Sequence, residues 1–159
     1  MNIFYLDRDP NIAAQLMCDS HVVKMCLETA QLLSTAHRVL DNPPATAGFY
    51  RATHVNHPSA VWARKTNNNY NWLYYHFGCL LIEYNYRYGK VHGCTKMTRI
   101  LLSPPRNIPV GPLTTMPCCM PDEYKISKDP VVNYREYYKV GKAHLHKYTK
   151  RAPPEWLNS

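Results

Sequence analysis

Long apolar runs are missing from this 159-residue sequence. None approaches the ~18 residues that a membrane-spanning helix needs, so no membrane association is expected. The opening residues, MNIFYLDRDP, hold no basic stretch followed by an apolar core. They do not read as a secretory signal, and an intracellular, cytoplasmic address is the expectation. Without such a signal the six cysteines are expected as reduced thiols, most of them small core residues. No G-x-x-x-x-G-K-[ST], G-x-G-x-x-G or G-x-S-x-G motif is present, which removes the common phosphate-loop, dinucleotide and nucleophile-elbow readings. There is no internal repeat. Acidic residues are scarce in the middle third: Glu83 is the only one between positions 61 and 110, against seven Lys and Arg.

What is present is positive charge, aromatic rings and helical spacing. Net charge is +8 and pI about 9.2, with the excess carried by the last two thirds of the chain. Such a bias attracts polyanions, and nucleic acid is the commonest of these in a cell. Apolar residues make up 45% of the chain, enough for one domain with a real core.

Most segments read as helix. Residues 2–6 are a short apolar run that suits a strand or an extended arm. Asp9-Pro10 is an N-cap followed by a favoured first helical residue. From Ile12 to Leu40 there is neither Gly nor Pro, and Ala13, Leu16, Val23, Cys26, Leu27, Ala30 and Leu33 recur at helical spacing. A break is expected near Asp19-Ser20, and Asp41-Asn42-Pro43-Pro44 ends the run. His57-Pro58 opens another helix. Thr66 to Asn69 reads as a turn or a restart. Tyr70 to Tyr88 is a helix that buries Leu73, Phe77, Leu80, Leu81 and Tyr84, with Gly89 just past its end. Six prolines between 103 and 122 predict a long irregular loop over the body. Asp129-Pro130 repeats the capping signal, and Val131 to Tyr138 reads as a short helix. The prediction is an all-α, mainly helical single compact domain over residues 1–159, with a long Pro-rich loop and a basic aromatic C-terminal segment at 130–159.

Four groups of residues can carry chemistry. His21, Lys24, Glu28, Gln31 and Thr35 share one helix face, which suits acid–base work or phosphate holding and equally a solvated face of i,i+4 pairs. Thr53 to Pro58 places His54, Asn56 and His57 before a helix start, where they can meet an anion or simply cap. The C-terminal segment interleaves Tyr134, Tyr137, Tyr138 and Tyr148 with Arg135, Lys139, Lys142 and Lys147, the pairing of stacking rings and cations that holds nucleic acid. His92-Gly93-Cys94 with Pro117-Cys118-Cys119 is similar to the zinc-deaminase pattern. It lacks the glutamate and the two-residue cysteine spacing, so no zinc site is expected.

Three stretches carry a family resemblance. They are Ala13-Ala14-Gln15 with His21 to Glu28, then Asn56-His57-Pro58 with the helix ending Tyr86-Arg87-Tyr88-Gly89, and finally Tyr134-Arg135-Glu136-Tyr137-Tyr138 with Gly141-Lys142. On these the chain resembles the pyrimidine-dimer DNA glycosylases, small all-α repair enzymes of the phage endonuclease V type. The resemblance implies base excision by an α-amine that attacks the sugar C1′ and forms a Schiff base. A helix carboxylate assists, and the strand is then cut by β-elimination. α-Amines titrate near 8, which leaves a useful neutral fraction at neutral pH. Residue 2 is Asn, so Met1 is expected to be retained and to supply the amine. The family's Arg-Glu pair falls at His21, Val22 and Val23, which leaves Asp19 or Glu28 as the carboxylate and Lys24 as an alternative amine.

The expected function is therefore a DNA glycosylase with abasic-site lyase activity on damaged or modified pyrimidines. Met1 or Lys24 is the nucleophile, Glu28 the carboxylate, and His21 and His57 orient sugar or phosphate. Arg64, Lys65, Arg135, Lys139 and Lys142 meet the backbone of double-stranded DNA, and Tyr137 or Tyr138 stacks. No cofactor and no metal are called for. The alternatives are a non-enzymatic nucleic-acid-binding protein and a metal-dependent nuclease using His21, His54 or His57.

Overall fold

In a computed structural model, which describes residues 1–159, the first nine residues form an extended arm. The arm is bent by its own second residue. Asn2 Oδ1 accepts hydrogen bonds from the backbone N–H of Ile3 (2.7 Å) and Phe4 (3.3 Å), and Phe4 takes up a left-handed φ of +59°. Asn2 Nδ2 donates to the Cys119 carbonyl at 2.9 Å, tying the arm to the Pro-rich loop. Ile3, Phe4 and Leu6 are buried in the core.

Helix α1 (Pro10–Leu16) starts as its sequence predicts: Asp9 accepts from the N–H of Asn11 and Ile12. It stops at Met17, and α2 (Asp19–Asp41) begins after Cys18. The break lies one residue before the expected place. The backbone N–H of Cys18 there donates to the Tyr138 hydroxyl at 2.9 Å. Asn42, at φ +45°, closes α2 in the left-handed conformation that Asn tolerates.

Helix α3 (Pro58–Ala63) is capped by His57, whose Nδ1 accepts from the Ser59 N–H at 3.1 Å. Helix α4 (Asn67–Tyr88) restarts at the polar run: Thr66 Oγ1 accepts from the Asn69 N–H. The same run holds the Pro-rich loop. Thr66 donates to the Pro112 carbonyl, Asn67 Oδ1 accepts from Gly111, and Asn69 Oδ1 accepts from Thr114. These bonds satisfy loop backbone groups that have no regular partner. Two short turns absent from the sequence reading follow α4, a 3₁₀ turn at Gly93–Met97 and helix α5 (Thr98–Leu101).

Helix α6 (Pro130–Glu136) is capped by Asp129 and widens into a π-type turn at Tyr137–Gly141, so the predicted helix 131–138 changes character before its end. The tail then wraps back. Glu83 receives both Arg87 (2.7 Å) and Arg151 (2.9 and 3.0 Å), while Asp19 receives Arg87 (3.0 Å) and the Thr149 hydroxyl (2.6 Å). Burial alone would raise Asp19 and Glu83. Hydrogen bonds from Thr149 and Arg87 to the first, and from Arg151 and Arg87 to the second, outweigh it and hold both carboxyls below the usual range.

The core lies where α1 and α2 pack on α4, and the result is a single all-α domain without strands. Leu73, Phe77, Leu80 and Leu81 are buried as expected, and Tyr84 packs half-buried against them. All six cysteines are free thiols, and four of them are buried. No helix is long and apolar enough to cross a membrane.

Candidate active-site cleft

The polar face of α2 is buried at its ends and opens into a cleft in its middle. His21 and Thr35, at its ends, are buried, and the middle three residues, Lys24, Glu28 and Gln31, line a cleft of about 680 Å³. The arm delivers Met1 to the same cleft. The Met1 α-amine lies 3.6 Å from Glu28 Oε1, and Lys24 Nζ lies 3.5 Å from Oε2. The Glu28 side chain is only 12% exposed, and its Oε2 has no hydrogen-bond partner in the protein. One carboxylate is thus shared by two amines, one set in place by the folded arm and one on a 65%-exposed lysine stem.

The opposite side comes from two connecting segments. Tyr50 and His54 lie on the loop before α3, and His92, Cys94 and Lys96 lie on the turn after α4. Arg38 holds the first loop by donating to five carbonyls between Pro43 and Tyr50 at 2.7–3.5 Å. His54 is held at a left-handed φ of +49° with Nδ1 2.8 Å from the Thr53 hydroxyl. The second segment is fixed by His92, whose Nδ1 accepts from the Cys94 N–H. The Tyr50 hydroxyl, 3.6 Å from Cys94 Sγ, links the two. Burial and that thiol push Tyr50 up to about 12, so it stays protonated. Glu28 is the only carboxylate in the lining, against Lys24, Lys96 and the α-amine, so the cleft favours an anionic visitor.

The structure brings together Met1, Lys24 and Glu28 but sets His21 behind them. His21 is 4% exposed, stacked on Phe4, and its Nδ1 is 2.7 Å from the Tyr138 hydroxyl. Burial, then the charges of Lys142, Lys24 and His144, push it down to about 4. It is neutral at pH 7 and cannot reach a sugar or phosphate from this place. His57 is half-buried. Burial lowers it, as do the Met1 α-amine and His54, while Glu28 opposes them, which sets His57 in the electrostatic surroundings of the amine.

Among the residues expected to meet DNA, Lys65 is exposed and free to do so. Lys139 and Lys142 are half-buried, with Lys142 Nζ 5.1 Å from the centre of the Tyr137 ring. One expectation is corrected, and two arginines have partners within the fold. Tyr138 is fully buried and cannot stack on a base, because its hydroxyl ties the α1–α2 junction to the π-type turn after α6. Arg135 and Arg64 are engaged internally: Arg135 donates to the Leu6 carbonyl and Asp7, and Arg64 to the Val55 carbonyl. Tyr137, half-buried, keeps part of its ring available between Phe4 and Tyr124.

Sequence reasoning missed Tyr50 and Lys96 and took Val23 and Leu27 only as part of a helical spacing. Those two aliphatic residues are 40% and 42% exposed and face the cleft. Their i,i+4 spacing beside Lys24 and Glu28 was the available signal. His92 and Cys94, noticed as half of a metal pattern, belong to the cleft, whereas Cys119 lies under the arm with its carbonyl on Asn2. No group of three or more His, Cys, Asp or Glu is placed to hold a metal ion. Comparison with family models, with curated proteins and with solved structures finds no match to this chain.

Proposed function

We propose that this is an amine-dependent enzyme acting on damaged or modified DNA. More particularly, it is a DNA glycosylase with associated abasic-site lyase activity, of the pyrimidine-dimer glycosylase type that the sequence resembles. The observation that carries the reading is the Met1 α-amine 3.6 Å from a nearly buried Glu28 in an electropositive cleft.

The chemistry follows from that pair. The neutral amine attacks C1′; the C1′–N bond to the base breaks, and the base leaves with a proton. Ring opening gives an imine between the α-nitrogen and C1′. Glu28, whose Oε1 lies 3.6 Å from the amine, takes the C2′ proton, and the 3′ phosphate leaves by β-elimination. Water then releases the amine. The exposed cations Lys24, Lys96 and Lys65 meet phosphates, where they steer without reading sequence. Lys24 is the alternative nucleophile.

Borohydride trapping tests the reading, on an abasic-site duplex and on an ultraviolet-irradiated duplex, both with chelator present. The expected result is a covalent protein–DNA adduct whose peptide map places the DNA on the α-nitrogen of Met1. An adduct on Lys24 transfers the role to that residue. No adduct on either duplex, with salt-sensitive binding retained, removes the enzyme reading and leaves a nucleic-acid-binding protein. Strand cleavage abolished by the chelator points to a metal-dependent nuclease.

A further inference from the structure

We infer that the cleft beside the Met1 amine takes in a single nucleobase swung out of the duplex, with Tyr50 and Leu27 holding its faces and Gln31 reading its edge. The inference rests on the glycosylase reading and adds the substrate class, a one-base lesion in place of a linked pair of bases.

The lining has the composition of a base-binding site. A base is flat and apolar on its two faces and polar only at its edge. In the cleft, α2 supplies two aliphatic side chains, Val23 and Leu27, whose 40% and 42% exposure leaves apolar surface uncovered. The connecting segments supply flat rings, Tyr50, His54 and His92. Stacking on such rings is tolerant of base identity. Gln31 contributes the one carboxamide in the lining, a donor and an acceptor side by side, as the hydrogen-bonding edge of a pyrimidine requires. The volume of about 680 Å³ lies within the ~300–1,000 Å³ of sites that enclose small organic ligands.

The position of the amine gives the arrangement its use. An amine that attacks C1′ must meet the sugar at the cleft, and a base attached to that sugar has to be placed somewhere as its bond breaks. Lys24 and Lys96, exposed at the cleft, suit the phosphates on either side of an extruded nucleotide.

The test compares two activities of one protein. Base release is measured on duplexes carrying one uracil, 5-hydroxymethyluracil, thymine glycol or 5-hydroxycytosine, and on a duplex carrying a cyclobutane thymine dimer. Strand scission is measured on an abasic-site duplex, which has no base to hold. The wild type is expected to release at least one of the single modified bases. Gln31→Ala, Tyr50→Ala and the cleft-filling Leu27→Trp are expected to lower the ratio of base release to abasic-site scission about tenfold. Leu27 is exposed enough that its replacement keeps the fold, which circular dichroism checks. Equal losses in both activities, or release from the dimer duplex alone, overturn the inference while leaving the glycosylase reading in place. Absence of a trapped adduct with the wild-type protein on the abasic-site duplex removes both.

Discussion

The Phe4 ring lies flat against the His21 imidazole, with centroids 4.2 Å apart and planes 17° from parallel. Phe4 belongs to the arm that delivers the α-amine, and His21 belongs to α2, two turns before Glu28. The stack therefore joins the two partners of the candidate site through the core. His21 in turn meets the Tyr138 hydroxyl, which also receives the Cys18 N–H. The amine is thus positioned by the most deeply buried part of the molecule, although it opens onto the surface.

A pH dependence of stability follows from the buried histidines. His21 and His76 are both held near 4: burial lowers each, with Lys142, Lys24 and His144 adding to the effect at His21. Their folded values lie below the unfolded value of about 6.5, so the unfolded chain binds more protons between pH 4 and 6.5. Stability is then complete above pH 6.5 and falls as pH drops toward 4, by on the order of 3 kcal/mol for each histidine. His76 Nε2 has no partner, and protonation would place a charge beside nothing that accepts it. Urea unfolding at pH 7.5 and 4.5 measures the loss. In His76→Phe the difference between the two pH values should shrink by about half; an unchanged difference would contradict the assignment.

Arg87 is the keystone of the tail. Its guanidinium, with no exposed surface, donates to Asp19, Glu83 and the Gln15 carbonyl. Arg87→Met leaves two buried carboxylates short of a partner, a loss of about 3–5 kcal/mol. For a domain of this size that lowers Tm by roughly 10 °C. Arg8→Ala breaks the exposed Arg8–Asp129 pair and should cost less than about 1 kcal/mol. Thermal melts of the two variants side by side check the contrast, and similar losses would refute the buried-network account.

How far the sequence reveals this structure depends on the range of the forces involved. Asp9-Pro10, Asn42, Thr66 and Gly89 mark helix ends legibly, because capping is settled within four residues. The same Thr66–Asn69 run also anchors a loop more than forty residues away, and nothing local announces that second use. Tyr137 and Tyr138 are alike in sequence; a π-type turn leaves one half-buried and sends the other fully into the core. Lys24 and Glu28 are legible as an i,i+4 pair. Their meeting with Met1 depends on a left-handed phenylalanine, a conformation that a β-region-favouring aromatic residue does not advertise.

The carboxylate and the two amines can be separated by substitution. Glu28→Gln keeps the shape of the side chain and removes its basicity, and strand scission on an abasic-site duplex should fall about 100-fold or more while the imine is still trapped. Lys24→Met removes the alternative nucleophile. If Met1 carries the reaction, the adduct persists at the Met1 α-nitrogen with a reduction of about tenfold or less, read by gel quantification and peptide mapping. Loss of all trapping in Lys24→Met together with normal folding would transfer the nucleophile to Lys24.

Asn2 supplies the last positioning element. Its amide accepts two backbone N–H groups and donates to the Cys119 carbonyl, so it sets both the bend of the arm and its attachment. Asn2→Gln keeps the amide and a bulky second residue but adds one methylene, which breaks the short turn that bends the arm. The amine then shifts by about 1 Å, a displacement that can cost up to 100-fold in a positioned reaction. Trapping should slow at least tenfold, while salt-sensitive binding to the same duplex changes by less than about twofold because the cations at the cleft are untouched. Intact-protein mass establishes that Met1 is present in both proteins. An equal fall in binding and trapping would show that Asn2 supports the fold as a whole and leaves the position of the amine to other contacts.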